Sequence, residues 1–150
     1  MLRKKRKLLK SEKGFTLIEL LAVIVILAII AAIAIPAIGS IIKGSKVNAV
    51  KADATEVLNA AKLYVAANGV PSDGTLDKSD LASYIDDDTI KLDDGYSVTV
   101  TENSGKVTYK LDADSNSDSG VTLKFSGATL NDINDAGKED NVTIGSGSGS

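Results

Sequence analysis

Asp112, Asp114, Asn116 and Asp118 alternate with Ala and Ser, the oxygen-rich spacing with which a calcium loop begins. Continued as a twelve-residue loop the pattern fails, because Ser117 stands where a glycine must permit the sharp turn and Leu123 where a bidentate Glu should close the shell. These four residues are a candidate calcium loop set against a solvated acidic hairpin loop. A second acidic group, Asp86, Asp87, Asp88, Asp93 and Asp94, reads as a solvated loop, since like charges this dense repel unless water or a cation separates them. His and Cys are absent, which excludes disulfides, thiolate and imidazole metal sites, and Cys- or His-based nucleophiles. Without these, and without a Gly-Lys-Ser/Thr phosphate loop, neither an enzyme nor a cofactor is expected.

The remaining chemically distinctive residue is Glu19, a lone carboxylate at the edge of an uncharged run of 23 residues, Leu20–Ile42, dominated by Ile, Leu, Val and Ala. A bilayer core takes about 20 such residues as a helix. A carboxylate carried into it costs about 2.5–3.5 kcal/mol on insertion scales, so its presence calls for a role. Seven of the 17 basic residues lie in Met1–Gly14 against one acid, Glu12, making that segment +6 while the rest of the chain is −9. The basic cluster places the N-terminus in the cytoplasm and the bulk of the chain outside. The acidic body repels phosphate backbones, so no direct nucleic-acid binding is expected.

Lys13-Gly14-Phe15-Thr16-Leu17-Ile18-Glu19, followed by the long apolar run, resembles the N-terminal signature of type IV pilins and the related pseudopilins. The resemblance covers roughly Lys13 to Ser45. It implies that a prepilin peptidase cuts between Gly14 and Phe15 on the cytoplasmic side, that Phe15 becomes the N-methylated N-terminus, and that Glu19 acts in assembly. Pro36 falls where many pilins carry a helix-bending proline. With Gly39 and Gly44 it marks a place for a kink or local melting of the helix, through a lost backbone bond and high backbone freedom. Some pseudopilins bind calcium in a loop in the region of Asp112–Asp118, which keeps that candidate open by resemblance. Many Gram-negative pilins staple a C-terminal loop with a disulfide, and this chain, lacking Cys, departs from that pattern.

The elements that must position these residues follow from periodicity. Val47, Val50, Ala54, Val57, Ala61 and Tyr64 or Val65 recur at three- and four-residue steps, so the helix continues past the apolar run and turns amphipathic. Asn68-Gly69, with Pro71 beyond, stops it. A helix over 15–68 is about 80 Å long at about 1.5 Å per residue, too long for a domain of this size to bury whole. Residues 70–95 read as a connection with one short helix around Ser79–Ile85, capped by Asp77 or Ser79. Tyr96, Val98, Val100, then Val107, Tyr109, Leu111, then Val121, Leu123, Phe125 alternate as three strands, and a fourth short strand fits Asn141–Ile144.

The expected fold is therefore α+β: a long N-terminal helix whose C-terminal half packs on a small antiparallel β-sheet of three or four strands. The expected organisation is a basic leader peptide over 1–14, removed on maturation, and an apolar transmembrane and filament-core helix over 15–44. A globular head follows over 45–144, and a flexible Gly/Ser tail over 145–150. The resemblance implies a structural subunit of an extracellular type IV pilus filament serving adhesion, motility or surface attachment. Its implied partners are copies of itself, the prepilin peptidase, the pilus assembly platform with its ATPase machinery, and the cytoplasmic membrane before assembly. Two alternatives stand beside it: a pseudopilin of a type II secretion or DNA-uptake machine, and a non-polymerising single-pass anchored surface protein.

Overall fold

The computed structural model describes the backbone of residues 2–145 and the side chains of residues 16–145. The side chain of Phe15, the side chains of the basic leader and the tail beyond Gly145 lie outside the described residues. The chain forms two compact units, one ending at Ile41 and the other beginning at Ile42, and α1 (Leu2–Asn68) contributes to both. The first unit, the stem, is α1 alone.

In the second unit, the head, α1 presents Val47, Val50, Ala54, Val57, Leu58 and Ala61 to the core, all buried. Their three- and four-residue spacing places them on one face, which is the stripe expected from the sequence. The helix stops where Gly69 turns to φ +84 and donates its N–H to the Val65 carbonyl at 2.8 Å, a left-handed cap that glycine adopts without a Cβ penalty. Asn68 fastens that end, its Nδ2 donating to the Tyr64 carbonyl at 3.1 Å and to the Tyr84 hydroxyl at 2.9 Å.

The sheet has five strands in the order β1 (Thr75–Asp77), β2 (Ser97–Asn103), β3 (Lys106–Asp114), β4 (Leu123–Ala128), β5 (Val142–Ile144). The α+β layout holds, but the expected sheet of three or four strands, all antiparallel, is corrected in two respects. β1 adds a strand, pairing Leu76 with Val98. It is too short for periodicity to reveal, yet Leu76 is fully buried. The last pair, β4 with β5, is parallel, with Leu123 opposite Val142 and Phe125 opposite Ile144. Parallel pairing needs a crossover of about a dozen residues or more, and residues 129–141, which include α3 (Leu130–Asp135), supply it.

β2 and β3 form a hairpin in register from Ser97↔Asp112 to Asn103↔Lys106. Its two-residue loop has Ser104 at φ 52 and Gly105 at φ 79, the positive pair that matches the right-handed twist of the strands. The third expected strand lies two residues later than its alternation suggests, because Gly120 (φ +66) and the turn before it hold Val121 outside the ladder while leaving it buried. The short helix expected near Ser79–Ile85 is α2 (Lys78–Leu81). Asp77 caps it, accepting from the N–H groups of Ser79 at 2.8 Å and Asp80 at 3.2 Å. Val98, Val100, Leu111, Leu123 and Phe125 share one core cluster with the α1 stripe and Ile133 of α3. Each large aliphatic or aromatic side chain buried there contributes about 1.5–3 kcal/mol of transfer free energy.

Candidate functional site

Gly14, Phe15 and Glu19 all lie on α1. Positions 15 and 19 are four apart and so share one helix face, one turn from each other. The Glu19 carboxylate is exposed and has neither a hydrogen bond nor an ion pair among the described residues. From Thr16 onwards the stem is apolar around its whole circumference. At about 100° per residue the stretch Leu20–Leu27 sweeps about two full turns, and every large side chain in it is half or more exposed, from Val23 at 50% to Leu20 at 60%. A helix of a water-soluble domain hides one stripe and wets the other; one that is apolar all round needs lipid or protein on every side. By length and composition this helix can cross a membrane, and its most apolar window has no buried residue.

Pro36, Gly39 and Gly44 sit within continuous helix. Gly39 has open space where a Cβ would stand, and at Gly44 a Cβ would meet only the Lys138 side chain at 3.8 Å, an ordinary contact. Neither glycine is required by packing within the single chain. Their smallness leaves room for close approach by another helix, and Pro36 supplies no N–H to the ladder.

Three of the four candidate calcium ligands are engaged separately. The Asp112 carboxylate accepts from the Gly127 N–H at 2.8 Å, closing a bulge at the Leu111/Ala113 register shift where Gly127 takes φ +58. Asp114 pairs with Lys124 across the strands at 3.7 Å. Asn116 caps the turn Ser117–Ser119, its Oδ1 accepting from Ser119 N–H at 3.1 Å. Asp118 is exposed in that turn. Among the described residues no three His, Cys, Asp or Glu side chains converge as metal ligands.

The second acidic group is partly neutralised by a cation that the sequence reading missed. Lys78 Nζ lies between Asp87 and Asp94, 2.6 Å from the latter, and the Tyr96 hydroxyl donates to Asp87 at 3.0 Å. Both partners raise the Lys78 pKa above its ordinary value, Asp87 the more strongly. Burial, then the bond to Asp87, raises that of Tyr96. A basic residue adjoining the cap at Asp77 was the available signal, but its partners lie in a later loop. Lys43, the first charge after the apolar run, is a second such residue; its Nζ meets Asp140 at 2.9 Å.

Compared with known proteins, the chain matches a family model described as the prokaryotic N-terminal methylation motif over residues 9–35. That span contains Gly14, Phe15 and Glu19, so the chain carries a type IV prepilin-like signal motif. No curated protein and no solved structure matches it significantly. The motif supports a type IV pilin-like or pseudopilin protein.

Proposed function

We propose that the chain is the prepilin of a type IV pilus subunit. It is stored in the cytoplasmic membrane with its N-terminus inside, cut between Gly14 and Phe15, N-methylated at Phe15 and polymerised through its apolar stem. The observation that carries this reading is that the methylation motif opens a helical stretch, 15–44, that is apolar on every side and holds Glu19 as its one carboxylate. Lipid satisfies such a surface before assembly and other stems satisfy it afterwards, whereas a plain anchor gains nothing from Glu19.

Cleavage removes the +6 leader and creates a cationic amine at Phe15. The head lies on the outer side of the membrane before and after cleavage. Pro36, Gly39 and Gly44 allow a stretch of the stem to kink or melt when packing supplies other partners for its backbone.

Electron microscopy of filaments sheared from the cell surface, with mass spectrometry of their subunit, tests the reading. Long filaments built of this chain beginning at Phe15 are expected. A short periplasm-bound fibre would favour a pseudopilin, and a processed but unassembled protein would favour a surface anchor.

A further inference from the structure

Asn141-Val142-Thr143 is an Asn-x-Ser/Thr triplet with a residue other than proline in the middle, the acceptor pattern for N-linked sugar. Such triplets arise often by chance, so the structural setting decides whether this one can be read. Asn141 has φ 64 and lies between the α3 crossover and β5. Its side chain is exposed and makes no hydrogen bond among the described residues. Its backbone is fixed from beneath: the N–H donates to the Thr122 carbonyl at 2.7 Å and to the Asp140 carboxylate at 2.9 Å.

Along this segment exposure alternates. Glu139, Asn141 and Thr143 face solvent, while Asp140 and Val142 are half-buried and Ile144 is buried. The acceptor amide and the hydroxyl two residues later are therefore both open to solvent. Among the described residues β5 is the outermost strand, paired only with β4, and it is three residues long. An enzyme can approach its open edge without disturbing the core.

We propose that Asn141 is a glycosylation site, taking a sugar from a polyprenyl-diphosphate-linked donor on the outer face of the membrane. In the transfer the Asn141 Nδ2 attacks the anomeric carbon and a C–N bond forms. The bond from that carbon to the diphosphate oxygen breaks, the polyprenyl diphosphate leaves with the electron pair, and the amide proton passes to a base of the transferase. No oxidant or reductant is required. The proposal rests on the proposed placement of the head outside the cell.

The test uses full-length chain from its native cells, with peptide mass spectrometry across Asn141. In parallel, a membrane-impermeant amine reagent applied to intact cells reports on Lys106, which is exposed next to the hairpin loop. A sugar mass on Asn141 is expected, lost in Thr143→Val and kept in Thr143→Ser, since only the latter retains the hydroxyl. Asn141→Gly suits the positive φ and should lose the sugar while keeping the fold. An unmodified Asn141 together with labelled Lys106 overturns the proposal and leaves the outward topology standing. If Lys106 is also unlabelled, the topology falls and the proposal falls with it. Persistence of the sugar in Thr143→Val overturns the assignment of this triplet as the recognised signal.

Discussion

Lys43 Nζ lies 2.9 Å from a carboxylate oxygen of Asp140, joining the first charged residue after the apolar run to the crossover that leads into β5. Asp140 also accepts from the N–H groups of Thr122 at 2.6 Å and Asn141 at 2.9 Å. Further along α1, Lys51 Nζ donates to the Ala136 carbonyl at 2.6 Å. The crossover into the parallel strand is thus fastened to the long helix at two points. The Lys43 side chain is 57% exposed, so the charge pair adds little in water. The backbone bonds to Asp140 matter more.

Those bonds set a pH dependence. The contact with Lys43, then the Thr122 N–H, holds the Asp140 carboxyl below its ordinary value of 3.8. A group depressed in the folded state stabilises it above its unfolded pKa and loses that contribution as pH falls through the folded one. Asp77 and Asp132 are depressed in the same direction, Asp77 chiefly by the Ser79 hydroxyl and Asp132 chiefly by the Thr129 N–H, so global acid unfolding reports all three. The local readout is amide exchange. Protection at Thr122 and Asn141 should fall as pH drops below 3.8, and Asp140→Asn should show the weakened protection already at neutral pH. Protection unchanged in that variant would show that the strand is held by packing alone.

The β2–β3 turn offers a prediction of stability. Both loop residues have positive φ, so Gly105→Ala places a Cβ in the left-handed region and should cost about 1–2 kcal/mol. Ser104→Asn should raise the thermal midpoint, because Asn tolerates that region better than Ser. Circular dichroism melting of the two variants checks both signs, and a neutral Gly105→Ala would mean that the turn relaxes to another type.

What sequence could and could not reveal follows from the range of the interactions involved. The stripe Val47 to Ala61 and the alternations at Val98, Val100 and Leu111 were legible because burial on one face writes its period into the chain. The Asn68-Gly69 stop was legible, and the cap was narrowed to Asp77 or Ser79, because both signals are local. Strand direction was not, since Val142 and Ile144 alternate in the same way whether β5 runs parallel or antiparallel to β4. For Asp112 the sequence leaves a calcium loop and a solvated hairpin loop both open, because its service to Gly127 depends on a register shift that only the paired strands create. Lys43 and Asp140 belong to remote segments, and no spacing rule joins them. At the N-terminus the motif that contains Gly14, Phe15 and Glu19 was legible because it is contiguous in the chain.

Processing is expected to depend on the small residue before the scissile bond. Gly14→Val should block cleavage while leaving membrane insertion intact, because the apolar run is unchanged. The check is N-terminal sequencing of the membrane-bound chain: Phe15 in the unmodified protein and an intact leader in the variant. A mature N-terminus beyond Ala28 in the unmodified protein would instead mark a secretory signal cut after its apolar region, and the filament stem would be lost with it.

Glu19 is expected to direct assembly by pairing with the amine of Phe15, its own or that of a neighbouring subunit. Positions 15 and 19 share a helix face, and Glu19 has no other partner among the described residues. Both charges belong at the apolar end of the stem, where an unpaired ion is costly. Two unit charges about 4 Å apart at an effective dielectric near 20 attract by about 4 kcal/mol, enough to offset desolvation only when they meet. An uncleaved subunit has no amine at Phe15, so cleavage and pairing are linked. Glu19→Gln keeps size and polarity while deleting the charge. It should be processed at Gly14 and stored in the membrane as usual, yet yield far fewer extracellular filaments, counted by electron microscopy in cells lacking the unmodified protein. Normal filament yield would show that packing of the apolar stems alone sets the register and that the carboxylate is dispensable.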